Sequence, residues 1–529
     1  MYGVEASAPS GNRNYDIICF GDEVPGILTL VCAAREYYRQ TNNYPRSLLL
    51  SKSNSKSGIG GQIVRSGLAY LERSSVPNTV RQEQKLDIFG DPAVIYKELL
   101  KRASVDQVAI DPSKTDWVLR EMLREIHADI LSSVEIKSVI KEGQKIVGIE
   151  LTRDETYLAK HFIDSTVNAE LAQFSGVRKF KGFETQGVPD SELAVTLVFE
   201  TQGLSVERLQ NIEYQYLQRF TNPQDKEAQD LINIAAGGDA NYASQLRADL
   251  VDKKGYLKTM AVGKDYIDIR SLALSIAYHA FRGTKLDINA QTGILDIGNI
   301  ALLSRVRMSW NALLFGVTAS EAETLTRAKA QPTRKMLDEI LFITKWFQLL
   351  GASEVKPAKE IYIRHAGNIT DVIEPLTGAK MLAGGVPTNE SIGTFGYHFD
   401  VRGGIDDFGE RAVNRSFGNL AFLTPALFNI GIQHALLKHV PNLAVVSPCS
   451  GFEGYACSAG RIVEFNCGVG QGIGIAAAIA LVQERELNEI SNKEVHDVLQ
   501  STGQLSQIYG ITNETAAAQL DEFEHSMTA

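Results

Sequence analysis

Residues 15 to 20, YDIICF, are an apolar, β-branched run that stops at Gly21. From Gly26 the apolar residues Ile27, Leu30, Val31 and Ala34 recur at helical spacing until TNNYP ends the pattern. SLLLS, Ser47 to Ser51, then reads as a second buried strand. Strand, glycine turn, helix and strand in such close succession make a βαβ unit, whose right-handed crossover demands parallel strands. The chain is therefore expected to be an α/β protein with a parallel sheet near its N-terminus.

The turn itself, CFGDEVPG, has most of a nucleotide cradle. Such a cradle takes its first glycine for the tight turn, its second so that backbone can approach a diphosphate, and its third for packing helix on strand. Gly21 and Gly26 fill the first and third places, and Glu23 stands in the second. Pro25 suits a first helical turn, where a missing N–H costs nothing, and the helix start can still offer N–H groups to an anion. A carboxylate beside a diphosphate is unfavourable, so the Glu23 side chain is expected to turn toward a ribose or solvent. The acid that usually ends the second strand is replaced by Ser51 and Lys52. On these residues alone, the turn reads either as a binding loop or as a structural βα turn without ligand. Ser51-Lys52-Ser53 reads either as a solvated loop or as a site for a 2′-phosphate.

Further along, SGIGGQIVRSGLAYLE, Ser57 to Glu72, is a second glycine-rich loop. Residues 134 to 166 alternate like a β meander around a KEGQ hairpin turn and return to a buried strand at His161 to Asp164. The middle differs, with a strand at Leu193 to Thr201 and amphipathic helical stretches at 205 to 235 and 318 to 350. The last part of the chain resumes the pattern of the first, with a strand at Leu443 to Cys449 and then GVGQGIG, read as a glycine turn that opens an alanine-rich helix. The expected division is one nucleotide-binding domain in two parts, 1 to 185 and 436 to 529 with a helical tail, interrupted by an α+β substrate domain at 186 to 435.

Length and charge agree with that plan. A chain of 529 residues is long enough for two domains with a sizeable core. A formal net charge of -10 gives no electrostatic reason to expect nucleic acid, and small organic substrates fit better. Five cysteines without a C-x-x-C spacing argue for a reducing compartment and no metal site. MYGVEASAPSGNRN lacks a basic and then apolar leader, and no apolar run is long enough to span a bilayer, so a cytoplasmic protein without a transmembrane segment is expected. Oligomeric state is left open.

Taken in order, YDIICFGDEVPG, IGGQIVRSGLAYLE, FIDSTVNAELAQFSGV and GRIVEFNCGVGQGIGIAAAIA resemble the FAD-dependent oxidoreductases of the two-domain, glutathione-reductase-like class. The resemblance implies a Rossmann-type FAD-binding domain and places Gly21, Glu23, Pro25 and Gly26 at the FAD diphosphate. It puts Ser51 and Lys52 at the ribose, and Gly60, Gly61 and Gln62 along the diphosphate and flavin edge. Ile136 falls where backbone meets the adenine, and Ser165 and Thr166 follow Asp164 in the family's strand end, with Val167 replacing its glycine. Gly470, Gln471 and Gly472 match the turn beneath the isoalloxazine. The activity implied is hydride transfer between a small organic substrate and flavin, by a flavoprotein enzyme; the departures at Glu23, Lys52 and Val167 leave open a member that binds flavin or another ligand without catalysis. A nicotinamide-only dehydrogenase is a third reading, one that leaves GVGQGIG unexplained.

Two polar clusters in apolar surroundings, IYIRHAGN and FGYHFDVRGG, also resemble the stretch that approaches the flavin. They offer Arg364, His365, Tyr397, His398, Asp400 and Arg402. His365, His398 or Tyr397 would supply a proton-transfer group, and an arginine would hold a substrate carboxylate by its two-pronged fork. The competing reading is a buried Arg364–Asp400 pair with satisfied core histidines. Cys449 and Cys457 read as small buried cysteines, Trp310 as core, and Glu321 and Glu323 as a solvated helix start.

Overall fold

The end of β1 (Asn14–Phe20) is wholly buried from Ile17 onward, which is the pattern of a strand covered on both faces. A computed structural model describes residues 13–288, 292–401 and 425–528. In it, β1 runs parallel to β2 (Ser47–Leu50) on one side and to β6 (Thr156–Asp164) on the other. With β3 (Asp129–Leu131), β4 (Ile136–Glu142) and β5 (Lys145–Leu151), the order is β3-β2-β1-β6-β5-β4. The strand Leu443–Val445 returns from far along the chain to pair in parallel with the end of β6. Helix α1 (Val24–Thr41) makes the crossover from β1 to β2. This is the expected mixed α/β, Rossmann-like arrangement, with the meander β4–β5–β6 antiparallel.

A second sheet has the order β13-β8-β12-β11-β10-β9, with β7 beside β12. Its strands are β7 (Val195–Thr196), β8 (Phe199–Gln202), β9 (Ala261–Val262), β10 (Tyr266–Asp268), β11 (Ile294–Ser304), β12 (Arg307–Phe315) and β13 (Glu354–Pro357). Helices including Val206–Phe220, Lys226–Ala235, Ala273–Arg282 and Arg334–Leu350 cover it. Trp310 stacks on Phe199 in that core, as read from the sequence. The last residue of the second core is Ile363, whereas Ala366, Met381, Phe395, Phe428 and Ala435 belong to the first core with α1.

One expectation is overturned. GVGQGIG is no turn: it lies inside a single helix, Val463–Gln483, that begins well before it. The reason is α1. A Cβ on Gly474 would stand 2.5 Å from the Thr29 carbonyl oxygen, and one on Gly470 would stand 2.9 Å from that of Pro25. The glycines let two helices approach backbone to backbone, and the alanines that follow continue the same face. This helix is also long and apolar enough to cross a membrane, but 94% of the qualifying window is buried inside the fold.

Candidate functional site

The carboxyl ends of β1, β2 and β6 meet at one corner, the place where parallel sheets bind ligands. Gly21 follows β1 with φ of 101°, and its N–H donates to the Leu50 carbonyl at 2.8 Å. A Cβ there would stand 2.5 Å from the backbone of Ser165 and Thr166, so only glycine lets the turn pass over the end of β6. Gly26 lies against the Ser165 side chain, which a Cβ would overlap. Gly21 and Gly26 thus do the work expected of the first and third glycines.

Glu23 is the extended N-cap residue of α1 but makes no capping bond, and Pro25 sits in the first turn. Instead, its carboxylate reaches across to the second glycine loop and accepts the Gln62 N–H at 3.0 Å. It covers Gly61, where a Cβ would overlap it. Burial pushes the Glu23 carboxyl up to about 8, with the charge of Asp22 adding to the shift and the Gln62 N–H and Arg65 opposing it. The expectation of a ribose- or solvent-facing Glu23 is therefore replaced by a contact with the loop. At neutral pH that carboxyl is mostly uncharged.

The two loops are tied in a second way. Gly60 donates its N–H to the Asp22 carbonyl at 3.0 Å. The Arg65 guanidinium, buried, pairs with Asp22 and, at 2.9 Å, with Glu360. None of Asp22, Arg65 and Glu360 was legible as a site residue; an arginine inside an otherwise small and apolar loop was the available signal. Lys52, at the end of β2, places its ammonium 2.8 Å from both oxygens of Glu170, which follows β6. Ser51 stays in the strand end, its carbonyl accepting the Val134 N–H at 3.1 Å, and this brings the start of β4, with Ile136, to the same corner. The Ile136 side chain itself is buried in core. Asp164 caps the strand end by accepting the Thr166 N–H and hydroxyl, and burial pushes its carboxyl up to about 6.

The corner suits FAD on its own terms. The uncapped start of α1 carries the partial positive charge that a diphosphate prefers. Ser165 Oγ, against Gly26 in the first turn of α1, is buried and among the described residues has no hydrogen-bond partner. Gly21, Gly26, Gly60, Ser165 and the first amides of α1 are the groups that would hold the diphosphate. Gly470, Gln471 and Gly472, expected at a turn beneath the isoalloxazine, lie within the Val463–Gln483 helix: Gly470 packs on α1, Gln471 accepts the Ile95 N–H at 3.0 Å, and Gly472 meets Ile392 and Ile432.

The substrate-side candidates separate into three environments. Arg364 and His365 are neighbours in the chain whose side chains meet different partners. His365 is buried between Glu192, 3.2 Å from Nδ1, and the Thr326 hydroxyl, 3.1 Å from Nε2. Glu192 also accepts the Ala366 N–H at 2.6 Å, so this histidine belongs to a structural network. His398 is exposed. Arg364, Tyr397 and Asp400 instead surround Arg461: Asp400 pairs with Arg461 at 2.6 Å, and the Arg461 guanidinium lies 5.8 Å from the Tyr397 ring centre. The Arg364–Asp400 pair considered from the sequence does not form; Arg461 takes its place. Burial raises the Tyr397 hydroxyl well above its ordinary range, so Tyr397 Oη keeps its proton. Arg402 lies outside the described residues.

Among smaller expectations, Cys449 and Cys457 are buried free thiols. Glu321 forms a capping box with Thr318, whereas Glu323 is the partner of the buried Lys179 and not a solvated residue. Among the described residues no group of acidic, histidine and cysteine side chains is arranged to hold a metal ion.

The sequence profile of the FAD dependent oxidoreductase family matches residues 53–499. No curated protein matches the chain. Among solved structures, a geranylgeranyl bacteriochlorophyll reductase-like protein from Thermoplasma acidophilum is similar over 98% of this chain and 90% of its own, with 8% identity and a TM-score of 0.36. The myxobacterial chondrochloren halogenase CndH is similar over 98% and 91%, with 12% identity and a TM-score of 0.39. L-proline dehydrogenase from P. horikoshii is similar over 93% and 99%, with 10% identity and a TM-score of 0.34. The family profile spans well over half of the sequence, and on that ground the protein belongs to the FAD dependent oxidoreductase family, with FAD as its cofactor.

Proposed function

We propose that this chain is an enzyme that transfers a hydride between a small organic substrate and FAD. Bound FAD supplies the two-electron acceptor that no side chain provides. The observation that carries the reading is the grip of the cofactor loop on the Arg364 segment. Gln62 Nε2 donates to the Ile363 carbonyl at 2.9 Å, the Ser66 hydroxyl to that of Ile361 at 3.1 Å, and the Glu360 N–H to that of Arg65 at 3.3 Å. A loop of the cofactor corner thus holds the next residue, Arg364, in fixed register. On that side Arg364 and Arg461 would orient a substrate, while Tyr397 Oη, which keeps its proton, would serve as a hydrogen-bond donor. His365 is occupied by Glu192 and Thr326, which leaves it a supporting role.

The test is anaerobic mixing of the purified, flavin-loaded protein with a panel of organic acids, amines and alcohols. Bleaching of the flavin by at least one, and recovery on readmitting an acceptor, supports the proposal. Flavin that light and dithionite reduce but that no substrate bleaches favours the binding protein without catalysis.

A further inference from the structure

We propose that the substrate is an organic acid and that its carboxylate is held by Arg364 together with Arg461. The starting point is an imbalance of buried charge. Arg364 is only 9% exposed, and among the described residues no carboxylate lies within ion-pairing distance of it. Its protein contacts are the Ala194 carbonyl at 2.5 Å and the face of Tyr362, whose ring centre lies 4.4 Å from the guanidinium carbon. Among the described residues its Nε has no hydrogen-bond partner.

The other buried cations set the standard this residue departs from. Arg65 has Asp22 and Glu360, Arg73 has Glu464, and Lys179 has Glu323. A buried guanidinium without a counter-charge is strongly unfavourable, so a fold that keeps one has an anion to place against it. A planar fork with a free edge is also the geometry that matches a carboxylate.

The second guanidinium points to the same ligand. Arg461 is 8% exposed and among the described residues its Nε likewise has no hydrogen-bond partner, although Asp400 meets its other edge at 2.6 Å. Its positive charge adds to burial in pulling Arg364 below its ordinary range. Asp400, paired with Arg461, also draws Arg364 upward, so among the described residues one adjacent carboxylate serves two buried guanidiniums, and a second anion would balance the pair. Among the described residues Glu72 also faces them: its field reaches Arg461 and Tyr397, and its carboxylate accepts from Asn299 at 2.5 Å. Glu72 also lines a cavity of about 500 Å³ with Tyr70, Arg73 and Arg81, a space that neither Arg364 nor Arg461 lines.

The anion itself is read from the arginines alone; that it is the substrate rests on the oxidoreductase proposal. Acetate, succinate and benzoate, each with its neutral amide, are titrated calorimetrically into the flavin-loaded protein and into Arg364→Gln and Arg364→Lys. At least one acid is expected to bind the wild type, with its amide at least about 30-fold weaker. Arg364→Gln should weaken that acid by at least about 30-fold, and Arg364→Lys by less, with flavin content unchanged in both. Acids and amides that bind alike, no acid binding, or an acid affinity indifferent to both variants would overturn the proposal. So would folded variants that lose flavin, since the anion would then be the cofactor's. Should Arg364→Gln not fold, the acid-against-amide contrast in the wild type and the drop in Arg364→Lys decide the matter. A colourless wild type contradicts the oxidoreductase proposal instead, and the same titrations on it still read the anion site.

Discussion

The carboxylate of Glu23 accepts the backbone N–H of Gln62 at 3.0 Å, so the acidic residue in the middle of the nucleotide turn is spent on the neighbouring loop. Such a contact would let a diphosphate cradle tolerate an acid. Held at about 8 by burial, the carboxyl is mostly protonated at neutral pH. The folded state keeps a proton that the unfolded chain gives up near 4.5, so the associated stability is full below that value and is lost as pH rises through 8. Thermal unfolding of the flavin-free protein should therefore favour Glu23→Gln over wild type increasingly from pH 5 to pH 9. FAD affinity of the wild type should fall over the upper part of that range while that of Glu23→Gln stays level. Parallel pH curves for the two proteins would show that Glu23 does not titrate in this window.

Glycines in the Val463–Gln483 helix should divide by their neighbours. Gly474→Ala puts a Cβ 2.5 Å from the Thr29 carbonyl oxygen and should cost about 1–3 kcal/mol by overpacking. At Gly468 the nearest atom is Ile430 Cδ1 at 3.5 Å, an ordinary contact, so Gly468→Ala should gain roughly 0.5–1 kcal/mol from helix propensity. Urea denaturation of the two variants gives both signs directly.

His365→Ala leaves Glu192 buried without its imidazole and should lower stability by about 3 kcal/mol. The pH dependence of kcat/KM should keep its shape, since the histidine has no free nitrogen for a substrate. A lost limb in that profile would place His365 in the proton transfer instead.

Much of this architecture was legible because its signals are local. YDIICF, Gly21 and the periodicity after Gly26 lie within one βαβ unit, and burial on both faces of β1 leaves a continuous apolar run that needs no knowledge of the rest. GVGQGIG failed because a run of glycines reads the same in a turn as in a close helix contact; what decides is α1, more than 400 residues earlier in the chain. Arg461 was missed for a similar reason. Its neighbours Arg364, Tyr397 and Asp400 are assembled by tertiary structure, and nothing in GRIVEFN marks one arginine as special. Glu323 looked like any acid at a helix start until Lys179 was brought to it from 144 residues away.

The central claim, FAD held at the Gly21–Gly26 corner, is tested most directly by the visible absorbance spectrum of the purified protein, followed by heat release and quantitation of the cofactor. The prediction is a yellow protein that releases about one FAD per chain, with Gly26→Val, whose side chain would overlap Ser165, markedly poorer in flavin. A colourless wild type that takes up no added FAD, or a folded Gly26→Val with full flavin, would contradict it.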